Sequence, residues 1–108
     1  MYQVMDYEFA LVTKVQVTDE DKTKLLSDIE ELFKKRSCEI CLKEVSPEVS
    51  GRRKLAYPIR GELEGVYTYY SVRVPSPAAL RKVEEELKLN PKVSKHILRY
   101  LFIRKDNL

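Results

Sequence analysis

Apolar and polar positions along the chain group into six elements. Tyr7, Phe9 and Leu11 alternate with Glu8, Ala10 and Val12, which predicts a strand whose first set faces a core. Leu25, Ile29, Leu32 and Phe33 then recur at helical spacing, with Leu26 widening the stripe. Thr18 stands ahead of this run and can accept from first-turn amides, while Asp19, Glu20 and Asp21 lie at the positive end of the helix dipole. Lys34, Lys35 and Arg36 close the helix at its negative end, so they read first as helix-end chemistry and second as nucleic-acid contacts.

Residues 38–45 predict a second strand, with Ile40 and Leu42 on one side and Cys41, Lys43 and Val45 on the other. Pro47 and Gly51 interrupt it before extended structure resumes over residues 55–59. Proline cannot donate to an interior ladder, so a strand carrying Pro47 and Pro58 belongs at a sheet edge. Residues 61–65, with a glycine at each end, predict a turn. Residues 66–74 form the clearest strand, with Tyr70, Val72 and Val74 on one face and Tyr67, Tyr69, Ser71 and Arg73 on the other. Ser76 and Pro77 predict the cap and first position of a second helix, buried along Leu80, Val83 and Leu87 and closed by Asn90 and Pro91. Residues 97–103 are the last strand, apolar on both parities.

The order strand, helix, strand, strand, helix, strand predicts an α+β fold, a ferredoxin-like βαββαβ sandwich. Two amphipathic helices cover one face of a four-stranded antiparallel sheet and leave the other face open. With 108 residues and no linker or repeat, residues 1–108 are expected to be a single domain.

Charge changes this picture through its distribution. Twenty basic and seventeen acidic residues leave a formal net charge of +3, a weak signal by itself. Residues 51–60, Gly-Arg-Arg-Lys-Leu-Ala-Tyr-Pro-Ile-Arg, however, hold Arg52, Arg53, Lys54 and Arg60 with no acid among them. A second cluster, Lys92, Lys95, Arg99, Arg104 and Lys105, lies near the C-terminus, while the acids concentrate on the helices. The asymmetry predicts a basic sheet-and-edge side suited to an anionic partner. The competing reading of Arg52, Arg53, Lys54 and Arg60 is a charged edge that resists strand-to-strand pairing.

Chemistry is sparse elsewhere. Cys38 and Cys41 are spaced C-x-x-C, but there is no second cysteine pair and His96 is the only histidine, so reduced structural thiols are expected rather than a redox or metal site. His96, between Lys95 and Ile97, reads as strand packing or a surface contact before it reads as a catalyst. None of the three glycines opens a helix, so no phosphate loop is predicted. Small acylphosphatases share this architecture but carry a glycine and an arginine in the loop after the first strand, and residues 13–17 here contain neither. The expectation is no enzyme, no cofactor, no metal and no small-molecule substrate. No apolar run reaches the ~18 residues of a membrane span and no signal peptide is recognisable, so a cytoplasmic protein without a membrane partner is expected.

Tyr67 and Tyr69, with Arg73 beyond them, give the open face aromatic rings beside a cation, an arrangement that stacks unpaired bases in RNA-recognition-motif domains. In that motif the aromatic positions fall one residue earlier relative to the glycine. Covering the sheet or meeting a protein partner is the alternative for both rings.

The run Gly-Arg-Arg-Lys-Leu-Ala-Tyr-Pro-Ile at 51–59, the pair Tyr7-Glu8 and the strand opening Gly65-Val66-Tyr67 resemble the bacterial small-subunit ribosomal protein S-six family over roughly residues 6 to 104. The resemblance implies a ribosomal protein, part of a ribonucleoprotein active in translation. Such a protein binds small-subunit rRNA on the platform jointly with the S-eighteen ribosomal protein. By position, Arg52, Arg53 and residues 55–59 match the family motif, with Tyr57 among them, and the family's partner-holding C-terminal strand points to Lys95, Arg99, Tyr100, Arg104 and Lys105. Leu55 is expected to anchor in the core, and Tyr57, on the same parity, to be buried with it.

Overall fold

The computed structural model describes residues 4–45 and 52–105. Pro47 and Gly51, the expected interruption of the second strand, lie outside these residues. The elements are β1 (Met5–Thr13), α1 (Asp19–Lys35), β2 (Glu39–Val45), β3 (Arg52–Ile59), β4 (Glu62–Val74), α2 (Pro77–Leu89), α3 (Pro91–Ser94) and β5 (Ile97–Arg104). The sheet runs β2-β4-β1-β5, and β3 also pairs with β4. β2 takes β4 from Thr68 to Arg73 and β3 takes it from Glu62 to Val66, both antiparallel. The expected second strand is therefore an edge in two pieces, and the ferredoxin-like plan holds with four strand positions.

Both helix entrances form as their sequences dictate. The Asp21 amide donates to Thr18 Oγ1 at 3.1 Å and the Ala79 amide to Ser76 Oγ at 3.2 Å. The apolar stripes of both helices then meet alternate residues of the sheet. Phe9, Leu11, Tyr70, Val72 and Val74 pack with Leu25, Ile29, Phe33, Val83 and Leu87 in one core. Phe9 is its hub, with ring centroids 5.4 Å from Phe33, 6.0 Å from Tyr70 and 4.6 Å from Phe102. Tyr70 donates to Glu30 Oε2 at 3.1 Å, and Lys43 reaches the same oxygen at 3.2 Å, clasping α1 to β2 and β4. Burial and the Glu30 carboxylate together hold the Tyr70 phenol well above the ordinary tyrosine range.

Three expectations change. Ile40 and Leu42 do not share a face, because the register shifts between them: Ile40 opposes Val72, whereas Leu42 opposes Ser71. Cys41 occupies that bulge exposed, whereas Cys38 is buried just before β2; both are free thiols, and burial pushes the Cys38 thiol up. Residues 61–65 are not a turn. Only Arg60 and Gly61 form one, both at positive φ (51° and 79°), the geometry of a two-residue hairpin loop. Gly65 lies inside β4 opposite Arg53 and is required for space, since a Cβ there would sit 2.5 Å from Val12 Cγ1. Finally, Pro91 does more than end α2: it opens the short helix α3, and Lys95 is that helix's C-cap, not a residue of the last strand.

Candidate nucleic-acid interface

β3 leaves the ladder of β4 after Lys54 and rejoins only at Ile59, opposite Glu62. Pro58 falls in the unpaired stretch, where its missing N–H costs no ladder bond. This excursion carries residues 55–58 over the end of the sheet toward β5. Leu55 is buried with Val12 and Leu98, with Ile59 and Tyr67 packed against them. The face opposite the helices is thus partly roofed, and a second small core forms where an open surface was expected. Leu55 anchors as predicted. Tyr57 does not follow it inside: it is 56% exposed, and its hydroxyl accepts from Arg99 Nη1 at 2.6 Å. The break in the ladder over residues 55–58 releases Tyr57 from strand parity.

The excursion brings one residue of the second basic cluster, Arg99, to the hairpin. Besides the Arg99–Tyr57 bond, Arg60 Nη1 donates to the Ile97 carbonyl at 3.2 Å, so both ends of the 57–60 segment are tied to β5. Arg52 pairs with Glu64 across the hairpin, both side chains about half exposed. Arg53 turns to the aromatic rows: its guanidinium carbon lies 4.7 Å from the Tyr67 ring centroid, and Nη1 donates to the Tyr69 hydroxyl at 3.1 Å. The two rings are 6.3 Å apart. Tyr67 and Tyr69 therefore lie on the predicted face but are engaged by Arg53, not bare. The side chain of Lys54, exposed, has no hydrogen-bond or ion-pair partner among the described residues.

The remaining candidates spread outward. Arg73, at the far end of β4, pairs with Asp6 at 3.2 Å, and that hydrogen bond, ahead of the surrounding negative charge, raises its pKa further. Lys105 Nζ donates to Ser71 Oγ at 2.7 Å, a cross-face contact that charge counting does not signal. Tyr100 is half-buried against the main core, beside Phe9 and Phe102, on the opposite side of β5 from Arg99. Arg104 shares that parity, opposite Tyr7 in register. Lys95 lies exposed at the end of α3. The hairpin candidates and Arg99 lie together, whereas Arg73, Lys95, Tyr100, Arg104 and Lys105 lie apart from them.

Among the described residues, no group of histidine, cysteine and carboxylates is placed to hold a metal ion, and no helix is long and apolar enough to cross a membrane. The main chain of His96 joins α3 to the residue that follows β1, with its amide donating to the Val93 carbonyl at 3.3 Å and its carbonyl accepting from the Lys14 amide at 3.0 Å.

Comparison with known proteins bears on the family and the fold. The family Ribosomal protein S6 matches residues 6–104. The small ribosomal subunit protein bS6 of Chlamydia pneumoniae is 34% identical over 94% of this chain and 83% of its own length. The bS6 protein of Caldanaerobacter subterraneus is 31% identical over 94% of this chain and 97% of its own. The crystal structure of 30S ribosomal protein S6 from Thermotoga maritima superposes with a TM-score of 0.82, covering 97% of this chain and 91% of that one at 24% identity. The chain belongs to the ribosomal protein S6 family.

Proposed function

We propose that this chain is a non-catalytic structural protein of the small ribosomal subunit that binds small-subunit rRNA on the platform jointly with the S-eighteen ribosomal protein. Family membership supports the structural role in the small subunit. The observation that carries the RNA reading is the β3–β4 hairpin that holds Arg52, Arg53, Lys54 and Arg60 and is tied to β5 through the Arg99–Tyr57 and Arg60–Ile97 bonds, which adds the sequence-distant Arg99 to its cations. Cations gathered on one exposed edge neutralise successive phosphates, and each neutralised phosphate releases counterions. The Arg52–Glu64 pair does not oppose this. An exposed ion pair contributes at most about 1 kcal/mol, so a phosphate can replace the Glu64 carboxylate at small cost.

The second reading, a recognition-motif module that stacks bases directly on Tyr67 and Tyr69, is disfavoured because Arg53 already lies over Tyr67. One titration separates the two. Labelled platform-region rRNA is titrated with this protein alone and then with the S-eighteen protein present. Tight binding only with the partner is the expected result. Tight binding of short single strands by this chain alone, abolished by Tyr67→Ala and Tyr69→Ala, would replace it with the recognition-motif reading.

A further inference from the structure

We propose that the cleft between β5 and the end of α2 binds the phosphodiester backbone of RNA, carrying the track of the hairpin cations around the sheet edge to Lys88. This rests on the RNA-binding reading and extends its contact surface toward the helices. The cleft has a volume of about 320 Å³ and is rimmed by Arg60, Lys88, Ser94 and Arg99. Its floor includes the buried side chains of Leu87 and Leu98. No carboxylate lines it among the described residues. Other clefts on the helix side are of mixed sign: Arg36 and Lys82 share one with Glu85 and Glu86, and Lys24 and Lys92 share another with Asp28 and Glu31. β5 is the outer strand of the sheet and pairs only with β1 among the described residues, so the cleft lies along an edge whose outward amides are further donors.

Two of the three cations are held by neutral acceptors. Arg60 Nη1 donates to the Ile97 carbonyl at 3.2 Å and Arg99 Nη1 to the Tyr57 hydroxyl at 2.6 Å. Each bond positions a guanidinium without cancelling its charge and leaves further N–H groups for a phosphate. Lys88 stands exposed in the last turn of α2. None of the three makes an ion pair among the described residues, whereas Lys82 on the same helix pairs with Glu85 at 3.9 Å. Three unpaired cations around one cleft repel one another, and a polyanion entering between them relieves that repulsion. The Ser94 hydroxyl adds a neutral donor of the kind that also meets phosphate oxygens. Continuity favours RNA over an acidic peptide. Arg60 sits at the turn from β3 to β4 and Arg99 holds Tyr57, so both belong to the hairpin surface and to the cleft, and one backbone can pass from the first to the second.

The test uses the full chain in joint assembly with the S-eighteen protein on labelled platform-region rRNA, measured from about 50 to about 200 mM salt. Lys88→Gln should lower the slope of log affinity against log salt by about one, so that over this range it loses about threefold less affinity than the wild type. Lys82→Gln removes the same charge from the same helix outside the cleft and should keep the wild-type slope. Both positions are exposed, so neither substitution should disturb the fold. An oligouridylate of about twelve nucleotides, added to the chain alone at high concentration, should shift the amide resonances of residues 60, 88, 94 and 99. A wild-type slope in Lys88→Gln, an equal fall in both lysine variants, or shifts that bypass these four residues would each overturn the proposal. So would weaker binding of the S-eighteen protein by Lys88→Gln in the absence of RNA, which would assign the cleft to a protein partner. Failure of the Lys88→Gln prediction alongside intact wild-type assembly rejects the cleft alone, whereas loss of that assembly in the wild type rejects the functional reading and the cleft with it.

Discussion

Tyr70 and Tyr69 are neighbours on β4 and face opposite worlds. On the helix side, Tyr70 is buried beside Phe9 and Phe33, and its hydroxyl is spent on Glu30. On the other side, Tyr69 is half-buried and its hydroxyl receives an arginine from the hairpin. The first face is closed by interlocked apolar volume. The second is closed at one end only, by the small Leu55 cluster and by directional bonds from Arg53, Arg60 and Arg99. Alternation along a single strand thus separates the residues that hold the protein together from those free to meet a partner, and substitutions on the two faces should differ in kind.

Phe9→Ala should show the largest effect. Removing the hub ring from a site with no exposed area should cost about 3–5 kcal/mol, read as a lower denaturation midpoint in urea with an unchanged slope. Gly65→Ala tests the junction between the faces. The added methyl must displace Val12, and overpacking of this kind should cost about 1–3 kcal/mol. Thr68→Val should act in the opposite direction. Thr68 Oγ1 is buried with no partner among the described residues, so its replacement by a methyl should raise stability by about 1 kcal/mol.

The smallest change at neutral pH is expected from Tyr70→Phe, whose signature lies in alkali. The folded-state pKa of Tyr70 is raised, so the folded protein holds this proton more tightly than the unfolded chain. The resulting stability is complete below the ordinary tyrosine value, about 10, and is lost as pH rises above it. Tyr70→Phe should remove that alkaline decline, and a variant that declined as the wild type does would place the titration elsewhere.

The core was legible because its residues repeat at fixed periods. Phe9 and Leu11 on β1, Leu25, Ile29 and Phe33 on α1, and Tyr70, Val72 and Val74 on β4 all fall where alternation or helical spacing puts them. Misreadings arose where a period breaks. The bulge at Cys41 reverses the side of Leu42, and the excursion at 55–58 exposes Tyr57, because parity assumes an unbroken ladder. Gly65 looked like turn chemistry, whereas its role is to admit Val12. At the candidate site, the density of Arg52, Arg53, Lys54 and Arg60 was visible in the sequence. Their union with Arg99 was not, since forty-two positions separate Tyr57 from its partner and only the curl of the hairpin joins them.

RNA binding by the face without helices, through its hairpin cations, is the claim that the salt dependence of joint assembly on platform rRNA tests. Arg52→Ala and Arg53→Ala should each reduce the slope of log affinity against log salt by about one, while leaving the urea midpoint nearly unchanged. An unchanged slope and affinity in both variants would contradict the claim.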